Sequence, residues 1–182
     1  MGRVALVTGG TRGIGEGTSV GLKDAGYTVV ANYGGNDEAA KAFTERTGIP
    51  AYKFHVSDFD AVQEAVKKIE ADIGPIEVLV NNAGITRDGV LSKMTFERWN
   101  QVLQTNLSSC FNCSKAVFDG MRERKFGRIV NIGSMNGQAG QYGQVNYAAA
   151  KSGIKGFTKA LALEGARFGI TVNSVAPGYV ET

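Results

Sequence analysis

Six short runs rich in Val, Ile and Leu recur along the chain, at 3 to 8, 27 to 32, 51 to 56, 76 to 81, 128 to 133 and 170 to 176, with helical patterns between them. Runs such as Val4-Ala5-Leu6-Val7 and Glu77-Val78-Leu79-Val80 are almost continuously apolar, as strands are when helices cover both faces of a parallel sheet. The alternation therefore predicts an α/β fold, a doubly wound parallel sheet with helices on both faces. The helical patterns fit 13 to 25, 37 to 47, 59 to 72, 96 to 124 and 146 to 167, with Asp37, Asp58 or Asp60, and Thr95 as N-caps.

No linker, repeat or low-complexity tract interrupts this order, and 182 residues suit one domain and one core. Hydrophobic residues make up 43% and charged residues 20%, which excludes a disordered chain. With 25 glycines and only 3 prolines, sharp turns fall to glycine. The net charge of +3 comes from scattered Lys and Arg, so nucleic acid is not an expected partner. No apolar run approaches the ~18 residues of a membrane span, and Met1-Gly2-Arg3 leads straight into a strand-like run, so a cytoplasmic protein with no membrane partner is expected. Cys110 and Cys113 form the one C-x-x-C. The single histidine, His55, leaves too few soft ligands for a zinc site, so no metal is expected and the pair reads as two reduced core thiols.

The chemistry gathers at the strand ends. Thr8-Gly9-Gly10-Thr11-Arg12-Gly13-Ile14-Gly15 follows the first strand and opens a helix, a place where glycines let backbone approach a pyrophosphate and helix amides meet its charge. The spacing G-x-x-x-G-x-G differs from the usual G-x-G-x-x-G, and a plain structural turn is the alternative. An acid for the ribose 2′-hydroxyl normally stands about 20 residues beyond the glycines. Here stand Asn32, Tyr33, Gly34 and Gly35, while Arg12 can reach a 2′-phosphate. NADP(H) is therefore favoured over NAD(H), unless Arg12 is a solvated loop charge.

Tyr147 and Lys151 share a helix face at i, i+4, where a fixed cation eases a phenol's trade in protons, although such a pair can also be a plain surface pair. Ser134 follows the fifth strand, where its hydroxyl could hold a carbonyl oxygen beside Tyr147. Asn106 interrupts the apolar row of Trp99, Val102, Leu103, Cys110, Val117 and Met121, so its carboxamide needs partners and could be a structural anchor. Asn81-Asn82-Ala83-Gly84 closes the fourth strand with a turn that lets backbone touch a cofactor.

Together, TGGTRGIG at 8 to 15, NNAG at 81 to 84, Asn106, Ser134, Tyr147 and Lys151 resemble the short-chain dehydrogenase/reductase family, and the resemblance runs to Asn173-Ser174-Val175-Ala176-Pro177-Gly178-Tyr179. It implies a Rossmann-like dinucleotide-binding domain over 1 to 182 and NAD(P)-dependent hydride transfer. Tyr147 would be the acid/base, with Lys151 easing its ionisation and binding the nicotinamide ribose. Ser134 would polarise the carbonyl, and Asn106 would hold a proton-relay water. The same resemblance places the cofactor against Gly9, Thr11, Arg12, Gly13, Ile14, Gly15, Asn32, His55, Val56, Asn82, Ala83, Gly84, Tyr147, Lys151, Pro177, Gly178, Val180 and Thr182.

Within the family, Asn82 to Asp88 and Asn136 to Tyr147 look like the reductases that act on acetoacetyl-CoA in polyhydroxybutyrate synthesis. By that likeness Asp88, Ser134, Gln141, Tyr142, Gln144 and Tyr179 would meet a small-molecule acyl thioester. Reductases of 3-oxoacyl groups on acyl carrier protein share the catalytic residues, and a non-catalytic NADPH-sensing module needs only the glycine loop. A homo-oligomer, dimer or tetramer, is expected from the likeness of helices 96 to 124 and 146 to 167 to the family's dimer pair, with Phe111, Val117, Phe118, Phe157 and Leu161 as apolar contacts. Family members continue for roughly sixty residues beyond the position of Thr182, so the chain is expected to be part of a longer functional protein.

Overall fold

The computed structural model describes residues 2–181. Six strands form one parallel sheet: β1 (Val4–Val7), β2 (Thr28–Tyr33), β3 (Ala51–Lys53), β4 (Ile76–Asn81), β5 (Gly127–Ile132) and β6 (Ile170–Val175), in the order β3-β2-β1-β4-β5-β6. Seven helices connect them: α1 (Gly13–Asp24), α2 (Asp37–Thr47), α3 (Phe59–Asp72), α4 (Phe96–Leu103), α5 (Ser109–Arg124), α6 (Asn136–Ala139) and α7 (Val145–Gly165). The expected doubly wound sheet is present.

Strand alternation divides the core in two. On one face Val4, Leu6 and Ile129 pack with Val62, Val66 and Ile69 of α3 and Cys113, Val117 and Met121 of α5. On the other, Ala5, Val7, Val29 and Ala31 pack with Phe43 of α2. The chain runs outward in opposite directions from β1 and β4, so their carboxyl ends flank the crevice where open α/β sheets bind ligands.

Several boundaries depart from the sequence expectation. β3 stops at Lys53 instead of 56, because β2 offers partners only as far as Tyr33 and the Asn32 carboxamide takes the Phe54 carbonyl (2.9 Å). Asn36, not Asp37, caps α2 by accepting from Ala39 N, which leaves Asp37 in the first turn. Asp58 caps α3 by accepting from Ala61 N, and Thr95 caps α4 by accepting from Arg98 N. Helix 96 to 124 is two α-helices joined by one wide π turn, Gln104–Ser108. Val117 is a core residue, and Phe118 and Leu161 pack against that core, so of the expected oligomer contacts only Phe111 is largely exposed, at 52%.

Candidate active site

Glycine makes the first turn possible. Gly9 and Gly13 have positive φ (60° and 54°), and a Cβ on Gly15 would lie 2.0 Å from the Gly9 carbonyl oxygen. Arg12 enters α1 extended and without a side-chain cap, which leaves the first amides of the helix to an anion. The loop is locked from below: Asn82 Nδ2 donates to Thr8 O (2.9 Å) and Gly9 O (3.1 Å), while Thr8 Oγ1 accepts from Asn82 N and Ala83 N. Asn32 is buried under the loop, accepting from Gly9 N (3.2 Å) and donating to Phe54 O, so its carboxamide serves the protein's own backbone.

A cleft of about 420 Å³ opens beside this loop, lined by Arg12, Ile14, Asn82 and Gly84 together with Ser134, Tyr147, Lys151, Pro177 and Gly178. A second cavity of about 220 Å³ adjoins it, lined by Asn136, Gln144 and Tyr179, and Thr86, Ser134, Tyr147 and Gly178 belong to both. His55 is exposed beyond the short β3, while Val56 is buried and its carbonyl accepts from Asn112 Nδ2 (3.0 Å). Thr11 is buried. Val180 is exposed and lines neither cavity, and Thr182 lies outside the described residues.

Lys151 is only 7% exposed; its ammonium donates to Ile132 O (2.6 Å) and sits 5.7 Å from the Tyr147 ring centre. Burial pushes its pKa below the usual lysine value. Ser134 Oγ accepts from Asn136 N (3.1 Å), which leaves the hydroxyl hydrogen free to donate toward a carbonyl in the shared space. Gly137 lets α6 pack closely on α7, since a Cβ there would lie 2.8 Å from Lys151 Cβ. On the rim, Asn136 donates to Gln144 and Gln144 donates to Asp88 (2.9 Å). Gln141 and Tyr142 stand on an exposed turn outside the lining of both cavities.

Asn106 is buried in the π turn with both polar atoms committed to Ile85: Oδ1 accepts from its amide (2.8 Å) and Nδ2 donates to its carbonyl (2.9 Å). The carboxamide that broke the apolar row is thus the pin between helix and cleft wall. Cys110 and Cys113 are free and buried, and burial raises both thiols, Cys110 to about 11. Among the described residues no cluster of three or more His, Cys, Asp or Glu could hold a metal, and no helix is long and apolar enough to cross a membrane.

Sequence reasoning gave no role to a buried polar ladder beneath the site. Asn81 donates to Ser114 (3.3 Å) and Asn131 (2.8 Å), and Asn131 donates to Thr158 (2.9 Å), joining β4 and β5 to α5 and α7. Asn81 and Asn131 meet because β4 and β5 pair in that register, which the order of residues alone does not give.

A doubly wound sheet with a glycine loop at its switch point, a Ser after β5 and a Tyr and Lys on α7 defines a dinucleotide-dependent oxidoreductase. The chain belongs to the short-chain dehydrogenase family, whose profile matches residues 3–182. It is 61% identical over 182 residues to acetoacetyl-CoA reductase of Shinella zoogloeoides, covering 100% of this chain and 76% of that one. It is 62% identical to acetoacetyl-CoA reductase of Paracoccus denitrificans, covering 100% and 75%. A 3-oxoacyl-acyl-carrier-protein reductase of Escherichia coli is 45% identical over 183 residues, covering 100% and 75%.

Proposed function

We propose that this chain is one dinucleotide-binding unit that reduces a 3-oxoacyl thioester with NADPH, acetoacetyl-CoA becoming 3-hydroxybutyryl-CoA. The observation that carries the reading is the sharing of Ser134 and Tyr147 by the two cavities: one space for a dinucleotide, one for an acyl group, with the proton donor between them. The names of the relatives at 61% and 62% identity support the acetoacetyl-CoA substrate over an acyl-carrier one.

The residues present fit a nicotinamide dinucleotide: a glycine cradle, unsatisfied helix amides, and Arg12 with no carboxylate in ion-pair range among the described residues. The phosphorylated form is favoured because Asp37, the first acid beyond β2, is already held by Lys53 (2.8 Å) and the Tyr33 hydroxyl (3.0 Å). When bound, the cofactor supplies a hydride to the 3-carbon. Ser134 donates to the 3-oxo oxygen and holds it beside Tyr147. The Tyr147 hydroxyl gives its proton to that oxygen as charge develops there, and the Lys151 ammonium stabilises the phenolate left behind. Because the Asn106 carboxamide is committed to Ile85, a relay water at that turn would be held by main-chain oxygen.

NADPH oxidation by the full protein tests the reading, with acetoacetyl-CoA against the same acyl group on acyl carrier protein. Turnover on the carrier substrate alone would transfer the assignment to that reductase class, and tight NADPH binding with no turnover on either would leave a binding module. We also propose a homo-oligomer formed through α5 and α7, supported by exposed Phe111, stacked on Phe59 at 6.2 Å, and by exposed Leu163.

A further inference from the structure

Asn146 is 0% exposed in the first turn of α7, directly before Tyr147, and its carboxamide makes three hydrogen bonds. Oδ1 accepts from Tyr147 N (2.8 Å), while Nδ2 donates to Arg87 O (3.0 Å) and Arg98 O (3.4 Å). The partners fix which atom is which, because an amide can only donate and the two carbonyls can only accept. One side chain therefore joins three pieces: the turn that carries Tyr147, helix α4, and the irregular strap between β4 and α4.

The strap matters because Thr86, next to Arg87, lines both cavities along with Tyr147. Two other stitches attach it to the entrance of α7, Gly89 N to Gly143 O (2.8 Å) and Gln144 to Asp88. Those are carried by partly or fully exposed residues and open to competition from water, whereas the Asn146 stitch runs from a side chain that is itself fully buried.

We propose that Asn146 is the positioning residue that sets the gap between Tyr147 and the Thr86 wall, and so governs how the acyl thioester fits without touching it. The inference rests on the thioester reading for its substrate. Its geometry predicts separable effects. Asn146→Asp keeps the acceptor for Tyr147 N but turns an oxygen toward two carbonyls, and Asn146→Ser keeps a small polar group of either sense.

The experiment measures thioester KM, kcat and NADPH dissociation constant for the full protein, wild type and both variants, with amide hydrogen exchange on the same samples. The expected result for Asn146→Asp is a KM for acetoacetyl-CoA raised roughly tenfold, the scale of losing a buried donor. Its NADPH affinity stays unchanged, and faster exchange is confined to 82–90 and the first turn of α7. Asn146→Ser falls between it and wild type. A variant that loses kcat only in proportion to its folded fraction, with KM unchanged, overturns the proposal, as does a loss of NADPH affinity. If wild type turns over no thioester, the functional reading fails, and exchange still decides the stitch: wild-type-like protection of the strap in Asn146→Asp overturns it. If Asn146→Asp does not fold, Asn146→Ser carries the same comparison.

Discussion

Tyr147 stands where the two cavities meet, and its phenol is the one that lines both, beside the Ser134 hydroxyl. Tyr147→Phe is expected to remove nearly all NADPH oxidation while fluorescence titration shows cofactor affinity almost intact; wild-type-like turnover would end the mechanism. Arg12 also lines the larger cleft, with no carboxylate in ion-pair range among the described residues. Arg12→Ala should weaken NADPH by about tenfold and NADH far less, since a charge-assisted contact to the 2′-phosphate is lost. Equal losses for both cofactors would give Arg12 to the loop fold. These residues were legible from order alone because glycine turns and an i, i+4 pair are local patterns.

At the scale of elements, the junction of α4 and α5 is the least regular part of the chain. The π turn presents the Asn106 carboxamide to Ile85, and Asn106→Ala leaves the partly buried amide and carbonyl of Ile85 without these partners. Destabilisation of about 1 to 3 kcal/mol is expected in urea unfolding, with loss of activity. An unchanged urea midpoint would mean that the turn does not depend on the pin. The two cysteines in the first turns of α5 are both buried, Cys113 within the core against the sheet and Cys110 with its Sγ on the Asn106 carbonyl. With Cys110 raised to about 11, neither thiol should react with iodoacetamide at neutral pH until urea exposes both. The sign follows from linkage: a raised folded pKa adds stability below the ordinary thiol pKa, and this is lost as pH rises through it toward about 11. Rapid labelling of the folded protein would show that the helix opens there.

At the scale of the whole molecule, exposed apolar surface points outward from α5 and α7, and Phe111 stacked on Phe59 is its largest aromatic piece. Light scattering at micromolar concentration should find an oligomer, and Phe111→Arg should shift it toward smaller species. A monodisperse wild-type monomer would remove the proposal. The sequence supported a longer list of contacts, but Val117 proved to be core. Periodicity marks an apolar stripe without saying whether it faces sheet or solvent, since that depends on where the neighbouring helices lie.

That same division runs through the protein. Order along the chain determined the strands, the glycine loop, the parallel sheet and the Ser134, Tyr147 and Lys151 set, because each depends on residues within a few positions of one another or on a period of the backbone. Only tertiary structure decided what the asparagines do. Asn32, Asn81, Asn106, Asn131 and Asn146 are all buried, and each is fixed by partners in other elements, up to 59 positions away. A carboxamide donates and accepts equally well, so its sequence neighbours carry no trace of its partner; that choice is made when folding leaves a buried amide or carbonyl without water and only one side chain within reach.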